Sequence, residues 1–334
     1  MRRSLLISLF GAGAFMLSGA SVGSNPSGAS LIVANKGDEA IGIIDPHSGQ
    51  QVAEVPEGGT TVHEVIASPD GRLVYAPIYG NSGVGKPGTN GHNMVVIDLA
   101  QRKVVGNVDF GRGVRPHCPQ FGPKNGLLYV TTELDKTISI IDPKSLKIVG
   151  TVPTGQEQSH MLAISKDGRR GYTANVGPGT VSVLDLENKK TLAIIPISKN
   201  TQRISLSADD SMAFTSDQTT PMLVVIDTAA QKVKTRVPLP AAGYGTAATH
   251  DGKYLVVCMP EANKVAVVDL AAMKVARTID VPAAPQEVLI RPDGRMAYVS
   301  CDKSGKVAEI STSDWKVAKL INAGKTADGL AWAK

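Results

Sequence analysis

One short apolar pattern recurs along the chain at a nearly constant interval. Runs of β-branched residues, such as IGIID and MVVID, end at Asp45, Asp98, Asp142, Asp185, Asp227, Asp269 and, with serine in place of aspartate, Ser311. Successive ends lie 53, 44, 43, 42, 42 and 42 residues apart. Turn sequences such as SPDG at 68–71 and RPDG at 291–294 lie between them. Each repeat therefore predicts four short antiparallel strands, A to D, and seven repeats predict an all-β, seven-bladed β-propeller.

The two ends of the repeat region are complementary. The first repeat begins at strand B, LIVAN at 31–35, and the chain finishes with a lone strand A, DGLAWAK at 328–334. Three strands from the start and one from the end complete the seventh blade, which pairs both terminal edges. We therefore expect residues 31–334 to form one closed ring.

Three strands carry variants of one tetrapeptide: Tyr129-Val130-Thr131-Thr132, Tyr172-Thr173-Ala174-Asn175 and Tyr298-Val299-Ser300-Cys301. These motifs resemble the YVTN repeat, and the resemblance covers nearly all of 31–334. It implies an exported seven-bladed propeller. It implies little about chemistry, because similar proteins include archaeal surface-layer proteins, a bacterial periplasmic protein that binds single-stranded DNA, and quinoprotein dehydrogenase subunits.

The N-terminus has the layout of an export signal. Arg2 and Arg3 precede an apolar stretch, Leu5 to Leu17, and small residues follow it. The stretch is shorter than the roughly 20 apolar residues of a membrane span. We predict a signal peptide at 1–20, a polar spacer at 21–30, a mature chain without a membrane span, and a periplasmic or secreted location.

Net charge and missing motifs argue against several function classes but identify none. Without Arg2 and Arg3 the excess of basic over acidic residues falls from five to three. A basic residue follows each strand C in six of the seven repeats, which spreads positive charge around the ring instead of concentrating it as a nucleic-acid footprint would. Nucleotide fingerprints, haem-attachment motifs and nucleophile elbows are absent from the sequence.

The three cysteines, Cys118, Cys258 and Cys301, are an odd number for an exported protein. Cys258 and Cys301 fall in the same strand type of neighbouring repeats, but their offsets differ by one residue, which points the side chains to opposite sheet faces. We expect buried free thiols, and one disulfide is the alternative.

The residues that differ between blades are the informative ones. The position five residues before the SPDG-type turn starts strand A, the innermost strand, and so predicts a ring at one mouth of the central channel. Its occupants are His63, His117, His160, Gln202, Tyr244, Gln286 and Asp328. Three of only six histidines share this position. They predict a ligand site, with a divalent-metal site and a purely structural role as alternatives.

Two further features favour the same mouth. An insertion in the B–C loop of the His63 blade, at 79–93, could bring Lys86, Asn90 or His92 to a ligand. Arg112, Arg115 and Arg203 give the mouth an excess of positive charge, which is partly offset by Glu64, Glu287 and Asp328. We therefore expect a small anionic ligand or a partner protein there, or no ligand at all if these charges are solvated.

Three function classes remain, and a binding protein is preferred to an enzyme. The first is an exported binding or scaffold propeller that recognises its ligand at the histidine-bearing mouth. The second is a metal-assisted lactonase or lyase that uses His63, His117 and His160. The third, single-stranded nucleic-acid binding, rests on the family resemblance alone. The sequence identifies no cofactor, and a divalent metal is the alternative it leaves open.

Overall fold

A computed structural model of the protein describes residues 28–334. The predicted signal peptide at 1–20 and the spacer residues 21–27 lie outside the described residues. Among the residues from 28 onward, no helix is both long and apolar enough to cross a membrane.

The described chain folds into seven four-stranded antiparallel sheets, as the repeat predicts. Blade 1 contains β4 (Ile66–Ala67), β5 (Leu73–Ile78), β6 (Asn93–Asp98) and β7 (Lys103–Asp109). Blade 2 contains β8 (Pro116–Phe121), β9 (Leu128–Thr132), β10 (Thr137–Asp142) and β11 (Lys147–Pro153). Blade 3 contains β12 (Ser159–Ile164), β13 (Arg170–Asn175), β14 (Thr180–Asp185) and β15 (Lys190–Pro196).

The other four blades repeat this order. Blade 4 contains β16 (Ser205–Leu206), β17 (Met212–Asp217), β18 (Met222–Asp227) and β19 (Lys232–Pro238). Blade 5 contains β20 (Thr246–Ala248), β21 (Tyr254–Met259), β22 (Lys264–Asp269) and β23 (Lys274–Asp280). Blade 6 contains β24 (Pro285–Ile290), β25 (Met296–Cys301), β26 (Lys306–Ser311) and β27 (Val317–Asn322). Blade 7 combines β28 (Ala327–Ala333) with β1 (Ser30–Asn35), β2 (Ala40–Asp45) and β3 (Gln50–Pro56).

The ring closes through blade 7. The last strand, β28, pairs antiparallel with the first, β1, and Ser30 lies opposite Ala333. This confirms the predicted closure by strands B, C and D from the start of the chain and strand A from its end. Both edges that the ends of the chain would otherwise expose are paired.

Burial follows the order of the strands within a blade. Strands B and C, such as β13 and β14, are buried almost throughout, which explains their near-continuous apolar sequences. Strand D is the outer strand and is mostly exposed, as in β11. Strands A of successive blades contact one another around the axis. Side chains near the start of strand A therefore meet at one end of the channel.

The aspartates that end strand C cap the turns that follow them. Asp45 accepts a hydrogen bond from the His47 amide at 2.9 Å, and Asp227 accepts one from Ala230 at 2.8 Å. Asp98, Asp142, Asp185 and Asp269 bond their turns in the same way. These repeated carboxylates therefore have a structural role in the turns.

Four B–C loops of the described chain contain a single 3-10 turn, and these turns are its helical segments: Lys36–Asp38, Glu133–Asp135, Pro260–Ala262 and Asp302–Ser304. The B–C loop of blade 1 instead contains the insertion at 79–93, which we call the mouth segment. Its base is narrow: a Cβ on Gly91 would lie 1.7 Å from the Ile78 carbonyl oxygen. Glycine is required there by that close backbone approach.

The three cysteines are buried and free, as expected. Cys258 and Cys301 lie in one hydrophobic cluster with residues of blades 5 and 6. Burial raises the pKa of the Cys118 thiol to about 12. Cys118 is therefore a packed thiol and no nucleophile at neutral pH.

Candidate functional site

The ring positions of blades 1, 2 and 3 bring three imidazoles into contact. The centroids of His117 and His160 are 3.6 Å apart with the rings tilted by 31°, and the centroids of His63 and His117 are 5.5 Å apart. His117 and His160 are each 2% exposed, whereas the His63 side chain is 21% exposed. The equivalent positions of three blades therefore form one histidine cluster with a graded access to solvent.

A tyrosine from the mouth segment completes this cluster. The ring of Tyr79 lies 5.0 Å from that of His63, 5.3 Å from His117 and 5.9 Å from His160, measured between centroids. Tyr79 is fully buried. Its ring thus contacts all three imidazoles, and the histidine cluster is a packed assembly of four rings.

The imidazoles are neutral at physiological pH. Burial lowers the pKa of His63 to about 4, although Asp328 opposes the shift. Burial and the neighbouring imidazoles and Arg203 lower the pKa values of His117 and His160 well below the ordinary value. A neutral imidazole keeps a lone pair for a metal or a hydrogen-bond donor. Within residues 28–334, the buried Nδ1 atoms of His117 and His160 have no hydrogen-bond partner.

Asp328, the ring residue of blade 7, joins the cluster to two cations. Its carboxylate lies 2.9 Å from Lys36 Nζ, 3.2 Å from Arg203 Nη2 and 4.0 Å from His63 Nδ1. Burial alone would lower the pKa of Lys36, but Asp328 and Asp302 raise it above its usual value. Lys36 therefore stays protonated beside His63, on the same side of the ring.

One residue further along strand A lies a second layer of charged groups. Arg203 is 4% exposed, donates to Glu64, and has its guanidinium 4.9 Å from the Tyr244 ring centroid. Glu64 also shares a hydrogen bond with Glu287, and burial raises the pKa values of both carboxyl groups. Below the histidines, Arg203, Glu64 and Glu287 therefore form a buried ion-paired layer.

The other ring positions contribute less to the cluster. Gln202 contacts it directly, since its side-chain nitrogen lies 3.2 Å from His160 Nε2. Tyr244 packs on Arg203, and the side chain of Gln286 bonds the Ala284 carbonyl at 3.3 Å. The seven aligned positions therefore differ in their contacts. Those of blades 7, 1, 2, 3 and 4 form one continuous set of polar contacts, and those of blades 5 and 6 lie outside it.

The carboxylates offset the predicted positive charge of the mouth more completely than expected, because all three arginines have partners. Arg203 is neutralised by Glu64 and Asp328, and Arg115 is buried beside Glu133 at 3.5 Å. Arg112 pairs with Asp135 at 2.6 Å. Sequence could place these charges at the mouth, but it could not show that each one meets a carboxylate from another blade or loop.

The structure also separates His92 from the other predicted site residues. Its side chain is 61% exposed and lies 3.5 Å from Asp109. Asn90 and the backbone of Lys86 instead accept hydrogen bonds from Arg115. The mouth segment therefore meets the cluster through Tyr79, at its start, and not through His92.

The three histidines do not form a metal-binding arrangement as they stand. A site with three histidine ligands needs three ring nitrogens directed at one point, whereas the rings of His117 and His160 lie face to face, 3.6 Å apart and tilted by 31°. Across the described part of the chain, no group of three or more histidine, cysteine, aspartate or glutamate side chains has a geometry that could hold a metal ion. The three-histidine metal site stays a prediction that this geometry does not support.

Sequence analysis missed Tyr79, Lys36 and Glu133. All three belong to B–C loops or their edges, outside the aligned ring position. The repeat pattern nevertheless indicates their position, because B–C loops emerge at the same mouth as the start of strand A. An inspection of every B–C loop for aromatic and charged residues would have found them.

Comparison with known proteins gives a family. The profile described as the cytochrome D1 heme domain matches residues 122–334. His160 lies within the matched region, and His63 and His117 lie before it. A search of curated proteins found no match.

Solved structures share the fold at low sequence identity. Hydrazine synthase from Kuenenia stuttgartiensis superposes with a TM-score of 0.73 at 18% identity, covering 85% of this chain and 92% of that one. The dihydro-heme d1 dehydrogenase NirN, in complex with DHE, gives a TM-score of 0.65 at 17% identity, covering 90% of this chain and 74% of that one. At identities of 17% and 18%, these structures show only that the fold is shared.

Proposed function

The chain belongs to the cytochrome D1 heme domain family, and from that premise we propose that it binds a haem-type tetrapyrrole at the histidine cluster. The ligand class agrees with the small anionic molecule expected from the sequence, because haem-type macrocycles carry carboxylate side chains. The observation that carries the proposal is the gathering of three neutral imidazoles at one mouth of the channel.

The donor set of the cluster suits such a group. Histidine is a common axial ligand of haem iron, and His63 is the most accessible of the three imidazoles. The unpartnered Nδ1 atoms of His117 and His160 leave ring nitrogens free to bond a ligand. Lys36, a protonated amine beside His63, supplies a cation for a carboxylate.

The roles of the individual residues follow from these contacts. His63 would hold the iron, and Lys36 would bond a carboxylate of the macrocycle. Asp328 would position Lys36 by its ion pair at 2.9 Å. The ion-paired layer of Arg203, Glu64 and Glu287 would lie beneath the ligand. When bound, the iron macrocycle would supply redox and small-molecule-binding chemistry that no side chain of this chain provides.

The location of the protein is part of the same proposal. A signal peptide at 1–20 would export the folded ring to the periplasm or outside the cell, where a tetrapyrrole could be carried or modified. The finer assignments made from the sequence, the YVTN-repeat label and single-stranded nucleic-acid binding, stay predictions.

Titration with iron protoporphyrin IX tests the proposal. We expect a saturable change in the haem absorption spectrum with one equivalent bound. His63→Ala should weaken binding by at least about tenfold, which corresponds to about 1.4 kcal/mol. It should also shift the absorption band, because the imidazole that would hold the iron is lost.

The matched control is His250→Ala. His250 is exposed and lies in the A–B turn of blade 5, so its loss should change neither affinity nor spectrum. Equal binding by the wild type and by the His63, His117 and His160 alanine variants would refute the site. Absence of any spectral change with the wild type would refute the ligand class for this probe.

A further inference from the structure

The mouth segment is fastened over the histidine cluster by one buried ion pair of blade 2. Glu133 is 1% exposed, and its carboxylate accepts hydrogen bonds from the Tyr79 hydroxyl and, at 3.1 Å, from the Gly85 amide. Arg115, which lies 3.5 Å from Glu133, is two residues before His117. The fastening point therefore lies beside the middle histidine.

Arg115 bonds the same segment at three further places. Its Nε donates to Asn90 Oδ1 at 2.7 Å, and its Nη2 donates to the Lys86 carbonyl at 2.8 Å. A longer contact of 3.5 Å joins Nη1 to the Gly83 carbonyl. One ion pair thus holds the mouth segment at five residues along its length, from Tyr79 to Asn90.

The segment also extends towards blade 3. A Cβ on Gly85 would lie 2.6 Å from the side-chain nitrogen of Gln158, which is two residues before His160. The segment leaves blade 1, crosses blade 2 and contacts blade 3, so it spans the three blades that carry histidines.

We propose that Tyr79 is the specificity-determining residue of the histidine cluster, and that the Arg115–Glu133 ion pair sets its position. The phenol ring packs against all three imidazoles and covers them on the side of the mouth segment, so a ligand that approaches His117 and His160 from that side must displace it. Access to the inner histidines is then limited by the fraction of molecules in which the ring has moved. This inference deepens the proposed function, because it concerns the same site, but its test needs no tetrapyrrole.

The consequence for ligand choice is steric and electrostatic. A ligand that replaces the phenol must occupy the flat space that the ring leaves beside the imidazoles, and Glu133 keeps Arg115 as its charged partner. A planar aromatic molecule meets this requirement, whereas a compact hydrated ion does not. Tyr79 therefore selects for flat ligands.

Acylation of histidines by diethyl pyrocarbonate, followed by peptide mass spectrometry, tests the inference on the full chain. In the wild type we expect His47, His92 and His250, which are exposed, to react rapidly, and His117 and His160 to react slowly. In Tyr79→Ala the rates at His117 and His160 should rise by about tenfold or more. Glu133→Gln should raise them less, because the ring is loosened but not removed.

Three controls keep the result interpretable. Tyr79→Phe retains the ring and should keep most of the protection. Asp135→Asn removes the Arg112–Asp135 pair of the same two loops, which bonds no residue of the mouth segment, and should leave all rates unchanged. The buried Cys118, Cys258 and Cys301 should stay unreactive to a thiol reagent in every variant, since their reaction would report unfolding.

The outcomes separate this inference from the proposed function. Unchanged rates at His117 and His160 in a folded Tyr79→Ala variant would overturn the role of Tyr79, whatever iron protoporphyrin IX does. Faster acylation without any haem binding would retain Tyr79 as the residue that limits access and reject the tetrapyrrole. If both hold, the variant should also bind the porphyrin faster than the wild type.

Discussion

The closed ring brings side chains that are far apart in the sequence into contact at the channel mouth. His63 and Asp328 are separated by most of the chain, yet their side chains lie 4.0 Å apart. Lys36 from the B–C loop of blade 7 and Arg203 from blade 4 reach the same carboxylate. The chemistry of each of these residues is therefore set by groups that no local stretch of sequence contains.

The depressed pKa of His63 makes the protein sensitive to acid. Because its pKa is about 4 in the folded protein and near 6.5 in an unfolded chain, the unfolded chain binds the proton first as the pH falls. The contribution of neutral His63 to the free energy of unfolding is fully present above about pH 6.5. It decreases progressively as the pH falls from 6.5 to 4. We expect a loss of roughly 3 kcal/mol over that window.

The measurement is urea unfolding of the wild type and His63→Gln at several pH values. The difference in unfolding free energy between the two should change between pH 6.5 and 4 and stay constant above pH 7. The comparison is needed because the Glu64–Glu287 pair titrates in the opposite sense. A difference that is independent of pH would contradict the assigned pKa shift.

Arg203 is expected to be the most costly charge to remove. Arg203→Met leaves Glu64 and Asp328 buried without their shared cation, and breaking a buried pair in this way costs about 3–5 kcal/mol. Urea unfolding measures the loss.

Lys264→Met is the matched control for Arg203→Met. It removes a pair with Asp280 that is largely solvated, and the cost should stay below about 1 kcal/mol. Equal costs for the two variants would show that the layer beneath the histidines adds no special stability.

Among the strands, β28 is the element on which closure depends. It brings buried Leu330 and Ala331 into blade 7 and places Asp328 at the mouth. Deleting 327–334 would expose the edge of β1 and remove one partner of Lys36. We expect a fall in melting temperature of at least about 10 °C, since several kcal/mol of packing and pairing are lost.

Thermal unfolding and size-exclusion chromatography measure this effect. Deleting only Lys334, which is exposed and outside β28, is the control and should leave both unchanged. A truncated chain that melts like the wild type would mean that the other blades hold the ring shut without β28.

The mouth segment shows what the sequence could and could not predict about a single element. The longer interval between Asp45 and Asp98 located the insertion, and the loop direction predicted its face. Its contacts were not predictable, because Arg115 and Glu133 belong to another blade and look like surface charges in the sequence. The residue expected to reach the ligand, His92, is exposed, and Tyr79 lies at the cluster instead.

For the whole molecule, the repeat made the architecture predictable. Regular intervals, turn sequences and complementary ends predicted seven blades and their closure, and all three agree with the sheet order. The shared ring position also predicted which side chains would line one mouth. The partners of those side chains were not predictable, since they come from loops that vary from blade to blade and that no alignment of repeats relates.

Pairing of Ser30 with Ala333 means that the ring has no privileged first blade. A short turn between these two residues would supply the A–B connection that blade 7 lacks, and the termini could then be opened at another loop with every strand keeping its neighbours. The histidines would be numbered differently but would still meet. The order of blades around the axis, and not the place where the polypeptide starts, specifies this protein.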